Sequence, residues 1–339
     1  MRELIVRGPG QLAWEQAPSP KLSSARSALV RPIASASCDL DRRLIAGVTP
    51  FKPPFALGHE CVAEVLEVGG EVASVRRGDL VSVPWKIACG ECPQCHAGRG
   101  TACTSVPRLA AYGVPAGGNW GGLFSEVVEV PFADAMLVPL PPALDPLAVA
   151  SASDNLTDAW VATSRPLAAR ENARVLVVGG TESLGVLAVQ MANAAGAASV
   201  DYLDDNDYRR ELAMRSGANV ELQPVLDERY DVVVSATRDP HALHRGLLAL
   251  APGGHCSCIG IIFDDPKIPL FGMYLRDVTL SVGVCHVRPH IPKVFDLVAS
   301  GRCDPLLVSP TVVPWQEAPQ ALIQPLAKCI VVRERITAG

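Results

Sequence analysis

Four thiols fall within fifteen positions, at Cys89, Cys92, Cys95 and Cys103, in the pattern C-x2-C-x2-C-x7-C. Short Cys-x2-Cys turns aim neighbouring sulfurs at one centre, and zinc accepts four thiolates in a tetrahedron without redox chemistry. Such a site leaves no coordination position open, so it holds a loop in shape and does not catalyse. Two disulfides, or an iron–sulfur cluster, would use the same residue types, and sulfur ligation alone leaves the cluster open. A structural zinc is the expectation.

A second stretch carries a different chemistry. Gly179-Gly180-Thr181-Glu182-Ser183-Leu184-Gly185 follows the apolar run Arg174–Val178 and precedes an Ala- and Leu-rich segment, 184–195. A phosphate approaches backbone N–H groups at a helix N-terminus closely only where side chains are small, so a glycine-rich strand-to-helix turn suits a dinucleotide. Asp204, about twenty residues beyond Gly185, stands where the next strand should end and could accept both ribose hydroxyls. Asp205 adds a second negative charge, which would repel a 2′-phosphate, so NAD is expected rather than NADP. The competing reading is a solvated acidic turn, with Asp207 close by and Arg209 and Arg210 diluting the field. Glu182 is the awkward member. At roughly 4–5 Å from a phosphate, its carboxylate would cost several kcal/mol at an effective dielectric near 20. It is expected to point outward, unless the loop departs from the usual path.

The elements that must position these groups divide the chain in texture. Residues 1 to about 145 are rich in short strand-like runs, such as 29–33 and 61–68, broken by turns at Gly69-Gly70, Arg77-Gly78-Asp79 and Gly117-Gly118. Prolines at 139, 141, 142 and 146 punctuate the chain before a helical stretch. From about 173, strand and helix alternate: strands at 174–178, 230–235, 255–260 and 278–284, helices at 208–216 and 241–250. Continuous apolar strands alternating with helices predict a doubly wound parallel α/β sheet. A last strand is expected over 328–332.

At 339 residues, 49% of them apolar and 19% charged, the chain has ample material for two cores. A net charge of −5 gives no reason to expect nucleic acid or an anionic membrane as partner. Gly8-Pro9-Gly10 interrupts the apolar start before a signal-peptide core can form, and no run approaches a membrane span. Eleven cysteines, an odd number partly clustered as metal ligands, fit a reducing compartment, so a cytoplasmic location is expected.

Taken in order, Cys38 within Ser35–Asp41, Gly58-His59-Glu60, Arg77-Gly78-Asp79, the four-cysteine lobe and the glycine loop resemble zinc-dependent alcohol dehydrogenases of the medium-chain dehydrogenase/reductase superfamily. The resemblance covers essentially the whole chain. It implies a GroES-like β-rich catalytic domain, 1–147 plus 288–339, around an inserted Rossmann domain, 148–287. It also implies two zinc ions per chain. The catalytic one carries over to Cys38 and His59, with Glu60 beside the metal or exchanging onto it. The third ligand carries over to Asp154, since Ser151–Leu156 resembles the Ser-Asp segment of the glutathione-independent formaldehyde dehydrogenase branch. Asp41 matches the family's acidic position and is expected to orient the His59 ring.

Three protein ligands leave zinc a fourth position, where it can polarise an alcohol or carbonyl oxygen. The function implied is hydride transfer between NAD(H) and an alcohol/carbonyl pair: a primary or secondary alcohol, a polyol or an aldehyde. The chain departs from the family at Leu40, where many members carry a hydroxyl that relays the proton, and at Arg43, where some carry histidine. Two alternatives follow: a preferential carbonyl reductase or aldehyde dismutase holding NAD tightly, and a zinc-stabilised nucleotide-binding protein without catalysis. Trp85, Trp120 and Phe51 are candidates for a substrate wall or for core packing. His286, Arg288 and His290 form a polar cluster after the last strand, suited to a cofactor cleft or a subunit contact. His241, His244 and His255, and cysteines 256, 258, 285, 303 and 329, read as structural. The apolar edge strand 278–284 suggests a homodimer or homotetramer.

Overall fold

The computed structural model describes residues 1–221, 229–308, 311–324 and 328–334. Contacts divide the chain into two units: Met1–Thr157 with His286–Ala299 and Ser309–Gly339, and Asp158–Cys285 with Ser300–Val308. The first break falls after Thr157 and not at 147. The Ser151–Asn155 segment is tied to the first unit: the Ser153 hydroxyl accepts the Cys61 N–H at 3.1 Å, and the Asn155 N–H reaches Glu60 at 2.9 Å.

The first unit is built mainly on antiparallel pairing, with Thr311–Pro314 parallel to Cys329–Val332. A seven-stranded sheet runs in the order Thr311–Pro314, Cys329–Val332, Ala28–Ala36, Glu60–Val68, Leu80–Ser82, Val138–Pro139, with Val128–Val130 also pairing with Ala28–Ala36. Pro32 lacks the N–H a ladder needs, and the register with Glu60–Val68 shifts between Pro32 and Ala34. The registers fix what converges at one end of the sheet. Ala36 faces Glu60 across one pairing and Ile330 across the other. Cys38, His59 and Lys328 therefore leave three neighbouring strands at the same end. Val30, Cys61, Ala63, Val65, Val81 and Val83 are closed to solvent on the core side.

The second unit is the doubly wound sheet that the strand–helix alternation predicts. Six parallel strands lie in the order Asn219–Glu221, Ser199–Leu203, Arg174–Val178, Tyr230–Ser235, Leu250–Cys258, Thr279–Val282. Val175 to Val178 are at most 1% exposed, which is why that strand is apolar without alternation. Local chemistry starts the helices. Asn206 accepts the Arg209 N–H ahead of Asp207–Arg215, and Asp239 accepts from His241 and Ala242 ahead of Pro240–Leu248, with proline in the first turn. Together the units make an α/β protein with a GroES-like β-rich part and a Rossmann-type parallel sheet. No helix among the described residues is long and apolar enough to cross a membrane.

Candidate active site

Cys38, His59 and Asp154 come together in the first unit, each offering one donor atom, all within 4.8 Å of one another. Asp154 Oδ2 lies 3.3 Å from Cys38 Sγ and 3.6 Å from His59 Nε2. Zinc bonds of about 2.3 Å to sulfur and 2.0–2.1 Å to nitrogen and oxygen, set tetrahedrally, put such donors roughly 3.3–3.5 Å apart. The donor set and its spacing therefore fit one zinc ion.

Local structure holds each donor. Cys38 stands just past its strand and before the turn into the next helix, its amide donating to Asp41 Oδ2 at 2.9 Å, while the Leu40 amide points at its sulfur at 3.4 Å. His59 follows Gly58, whose φ of 100° and contact with Phe124 leave no room for a Cβ. Asp41 Oδ1 stands 3.5 Å from His59 Nδ1, on the ring's far side from Asp154. Asn155 Nδ2 reaches both Cys38 Sγ at 3.4 Å and Asp154 Oδ2 at 3.3 Å. The Trp85 ring packs beside His59, with centroids 6.1 Å apart.

Electrostatics favour a cation among these donors. Burial first, then the Asp154, Glu60 and Asp41 carboxylates, push the Cys38 thiol well above its usual range. Burial likewise raises Asp154, against the pull of His59. A divalent ion would answer charges that the dry site otherwise disfavours.

Glu60 is buried but is not grouped with the three donors. One oxygen accepts the Asn155 amide and the other pairs with Lys328 Nζ at 2.8 Å. Lys328 also donates to the Ser37 carbonyl at 2.7 Å and to Asn155 Oδ1 at 3.0 Å. Burial works against its charge, but Glu60 and then Asp39 outweigh that and keep the ammonium protonated. Neither Asn155 nor Lys328 stood out in the sequence. The one available signal was a lysine opening an otherwise apolar strand.

The four-cysteine lobe closes on itself. Cys89, Cys92, Cys95 and Cys103 also place their sulfurs within 4.8 Å of one another, and two of the pairs stand 3.9 Å apart. A tetrahedron of thiolates at about 2.3 Å from zinc has edges of roughly 3.8 Å, so this cluster fits zinc as well. All eleven cysteines are free thiols, which removes the two-disulfide reading. Amides of Glu91 and Cys92 point at Cys89 Sγ, and the Thr104 and Cys95 amides hold the Cys92 thiol down to about 5.

In the second unit, the glycine loop joins the strand Arg174–Val178 to the helix Leu184–Ala194, as expected. Gly180 has φ of 125°, and a Cβ there would strike Thr237. Among the described residues, the buried Thr181 hydroxyl has no hydrogen-bond partner. An anion at this glycine-lined helix start would meet it, so the loop fits a dinucleotide phosphate.

Two expectations about this loop need correction. Glu182 does not point outward to solvent; it is 8% exposed and paired with Arg238, which neutralises it inside the protein. Asp204 is not an open acceptor. Its oxygens take the Tyr202 hydroxyl at 2.7 Å, the Asn206 amide at 2.9 Å, and Nε and Nη2 of Arg209, each at 2.7 Å. Those four bonds fill a carboxylate's acceptor positions. Asp205 is exposed.

The remaining candidates separate. Trp120 donates to the Gly117 carbonyl and packs, half-buried, on the first unit's core, and Phe51 packs, half-buried, against a second cluster. Leu40 joins the same cluster as Phe51, and Arg43 donates to the Val48 carbonyl at 3.3 Å. His286 Nδ1 sits 2.6 Å from Thr101 Oγ1, and Arg288 reaches the Asp134 carbonyl at 3.4 Å, both within the first unit.

Comparison with known proteins places the chain in a family. The model of the alcohol dehydrogenase GroES-like domain matches residues 24–142, and that of the zinc-binding dehydrogenase domain matches residues 183–300. A probable zinc-binding alcohol dehydrogenase of Mycobacterium tuberculosis is 29% identical over 94% of this chain and 83% of its own length. An L-threonine 3-dehydrogenase of Symbiobacterium thermophilum is 31% identical over 76% of this chain and 74% of its own. The solved alcohol dehydrogenase of Thermus sp. ATN1 superposes with a TM-score of 0.90 at 29% identity, covering 98% of this chain and 99% of that one. The chain belongs to the family of zinc-dependent alcohol dehydrogenases, oxidoreductases that act on alcohols.

Proposed function

We propose that Cys38, His59 and Asp154 hold the catalytic zinc, and that the protein interconverts an alcohol and its carbonyl compound with NAD(H) as hydride partner. The observation that carries this is the meeting of three donor atoms from three distant segments, at zinc-ligand spacing. Zinc bound there supplies Lewis-acid polarisation of the substrate oxygen. The chain's own groups do the rest. Asp41 faces the second ring nitrogen of His59 and keeps its orientation, Asn155 steadies the thiolate and the carboxylate, and Trp85 walls the histidine side. Both Glu60 oxygens are engaged, so exchange of Glu60 onto the metal would require Lys328 to release it.

Cofactor choice rests on charge near Asp204. Three carboxylates (Asp204, Asp205, Asp207) face two guanidiniums (Arg209, Arg210), which supports NAD over NADP by a smaller margin than two free aspartates would. A second zinc in the four-cysteine lobe would be structural. The free thiols support a cytoplasmic location. Leu270, Phe271, Tyr274 and Leu275 on one short helix, and Val282 on the edge strand, are all more than 60% exposed, which supports a homodimer or homotetramer.

The test is a panel of alcohols and aldehydes assayed by nicotinamide absorbance, with zinc counted per chain in the wild type and in Asp154→Ala. Two zincs in the wild type, one in the variant and loss of turnover are expected. Full zinc and full turnover in Asp154→Ala would remove the aspartate from the ligand set.

A further inference from the structure

Beside the four-cysteine lobe lies a cavity of about 90 Å³ that the alcohol dehydrogenase reading does not use. Its walls are largely apolar, with Pro84, Val287 and Pro289 among them, and its ionisable members are Lys86, His286, Arg288 and Cys95. No carboxylate is among the described residues that line it.

Lys86 is the unusual member. It is 6% exposed, yet among the described residues it makes no ion pair or hydrogen bond, and its Nζ rests only over the face of Trp85, 5.4 Å from the ring centre. A cation–π contact of this kind returns only part of the free energy that burying an ammonium costs. Burial accordingly lowers its pKa to about 8. Arg288 stands exposed at the rim, and among the described residues its side chain has only a long contact to a backbone carbonyl. His286 is held on Thr101.

We propose that this cavity binds a short-chain organic carboxylate, with its charged end answering Lys86 and Arg288 and its alkyl body against the proline and valine wall. The volume suits a molecule of a few heavy atoms and excludes a nucleotide. Two cations without a carboxylate select a small anion. The apolar lining selects an organic anion over an inorganic one. None of Cys38, His59 and Asp154 lines it.

Calorimetric titration of the zinc-loaded full chain with butyrate, and separately with inorganic phosphate, tests this. One saturable butyrate site per chain is expected, with phosphate weaker by tenfold or more. Lys86→Met and Arg288→Gln should each weaken butyrate by at least tenfold, and the rim position of Arg288 keeps the test available if the buried substitution impairs folding. Cys38→Ser should leave the affinity unchanged. Four results would overturn the proposal: no saturable butyrate binding; phosphate binding as tightly as butyrate; butyrate binding lost in Cys38→Ser but kept in Lys86→Met; or zinc lost from Lys86→Met with butyrate unaffected. The third would put the anion on the three-donor cluster. The last would make Lys86 the counter-charge of the cysteine lobe.

Discussion

Lys328 Nζ stands 2.8 Å from Glu60 Oε2 with both side chains sealed from solvent, and this buried ion pair lies directly behind the three metal-type donors. It links two strand ends that the sheet brings together, because Ile330 and Glu60 both face Ala36. Removing one partner strands the other. Lys328→Met should therefore cost about 3–5 kcal/mol. In the double variant Lys328→Met/Glu60→Gln much of that loss should return, since two neutral groups need no mutual charge compensation. Denaturant unfolding of the four-member cycle reads the coupling directly. Additive losses would mean that the pair contributes nothing as a pair.

Arg209 closes Asp204, and cofactor choice should turn on that contact. With Arg209→Ala the carboxylate regains free acceptor positions and an uncompensated charge, which welcomes ribose hydroxyls and repels a 2′-phosphate. The kcat/KM ratio of NAD to NADP should rise by about tenfold, equivalent to about 1.4 kcal/mol. Asp204→Asn should move the ratio the other way. If neither substitution changes it, discrimination lies elsewhere in the chain.

The sequence carried the fold well and the site unevenly, for identifiable reasons. The run Arg174–Val178 is buried on both faces, so its composition alone announced a central parallel strand. The cysteine lobe is local, and its spacing is its geometry. Cys38, His59 and Asp154 are joined by strand register and by the turn before the helix Asn155–Leu167, so only the resemblance connected them. Lys328 was hidden for the same reason: its partner lies 268 positions away, and a lysine opening an apolar strand does not say which charge it meets. Glu182 was misjudged because its neutralising partner, Arg238, follows a different strand of the sheet. Asp204 was misjudged because an arginine five residues on was counted as diluting the field, when it binds the carboxylate directly.

The two cysteine-bearing clusters should separate by what their loss does. Cys103→Ser breaks a closed four-thiol lobe, so one zinc per chain should disappear and stability should fall by about 3 kcal/mol or more. For a unit of this size, that lowers Tm by roughly 6–12 °C. Cys38→Ser should also remove one zinc, but its main effect should be on turnover, because the ion it releases serves chemistry. Metal analysis beside thermal melts decides the matter. A Cys38→Ser protein that melts as early as Cys103→Ser would contradict the division of roles.

Lys86 should make stability depend on pH in a particular direction. Its folded pKa, about 8, lies below the unfolded value of about 10.4, because burial disfavours the ammonium. The unfolded chain therefore binds more protons between those values, and stability rises as pH climbs through that window. Below about pH 8 the group is charged in both states and the full cost of burying it is present. Of the groups lining the same cavity, Arg288 lies exposed at the rim, His286 is held on Thr101 and Cys95 belongs to the lobe. Lys86→Met removes the buried charge and fills the same volume. It should raise Tm most at pH 7, and the gain should shrink steadily toward pH 10, where the wild-type amine is already neutral when folded. Melting curves of both proteins from pH 7 to 10.5 measure this. A gain that stays constant or grows with pH would mean that Lys86 has a charge partner and is not held against its own desolvation.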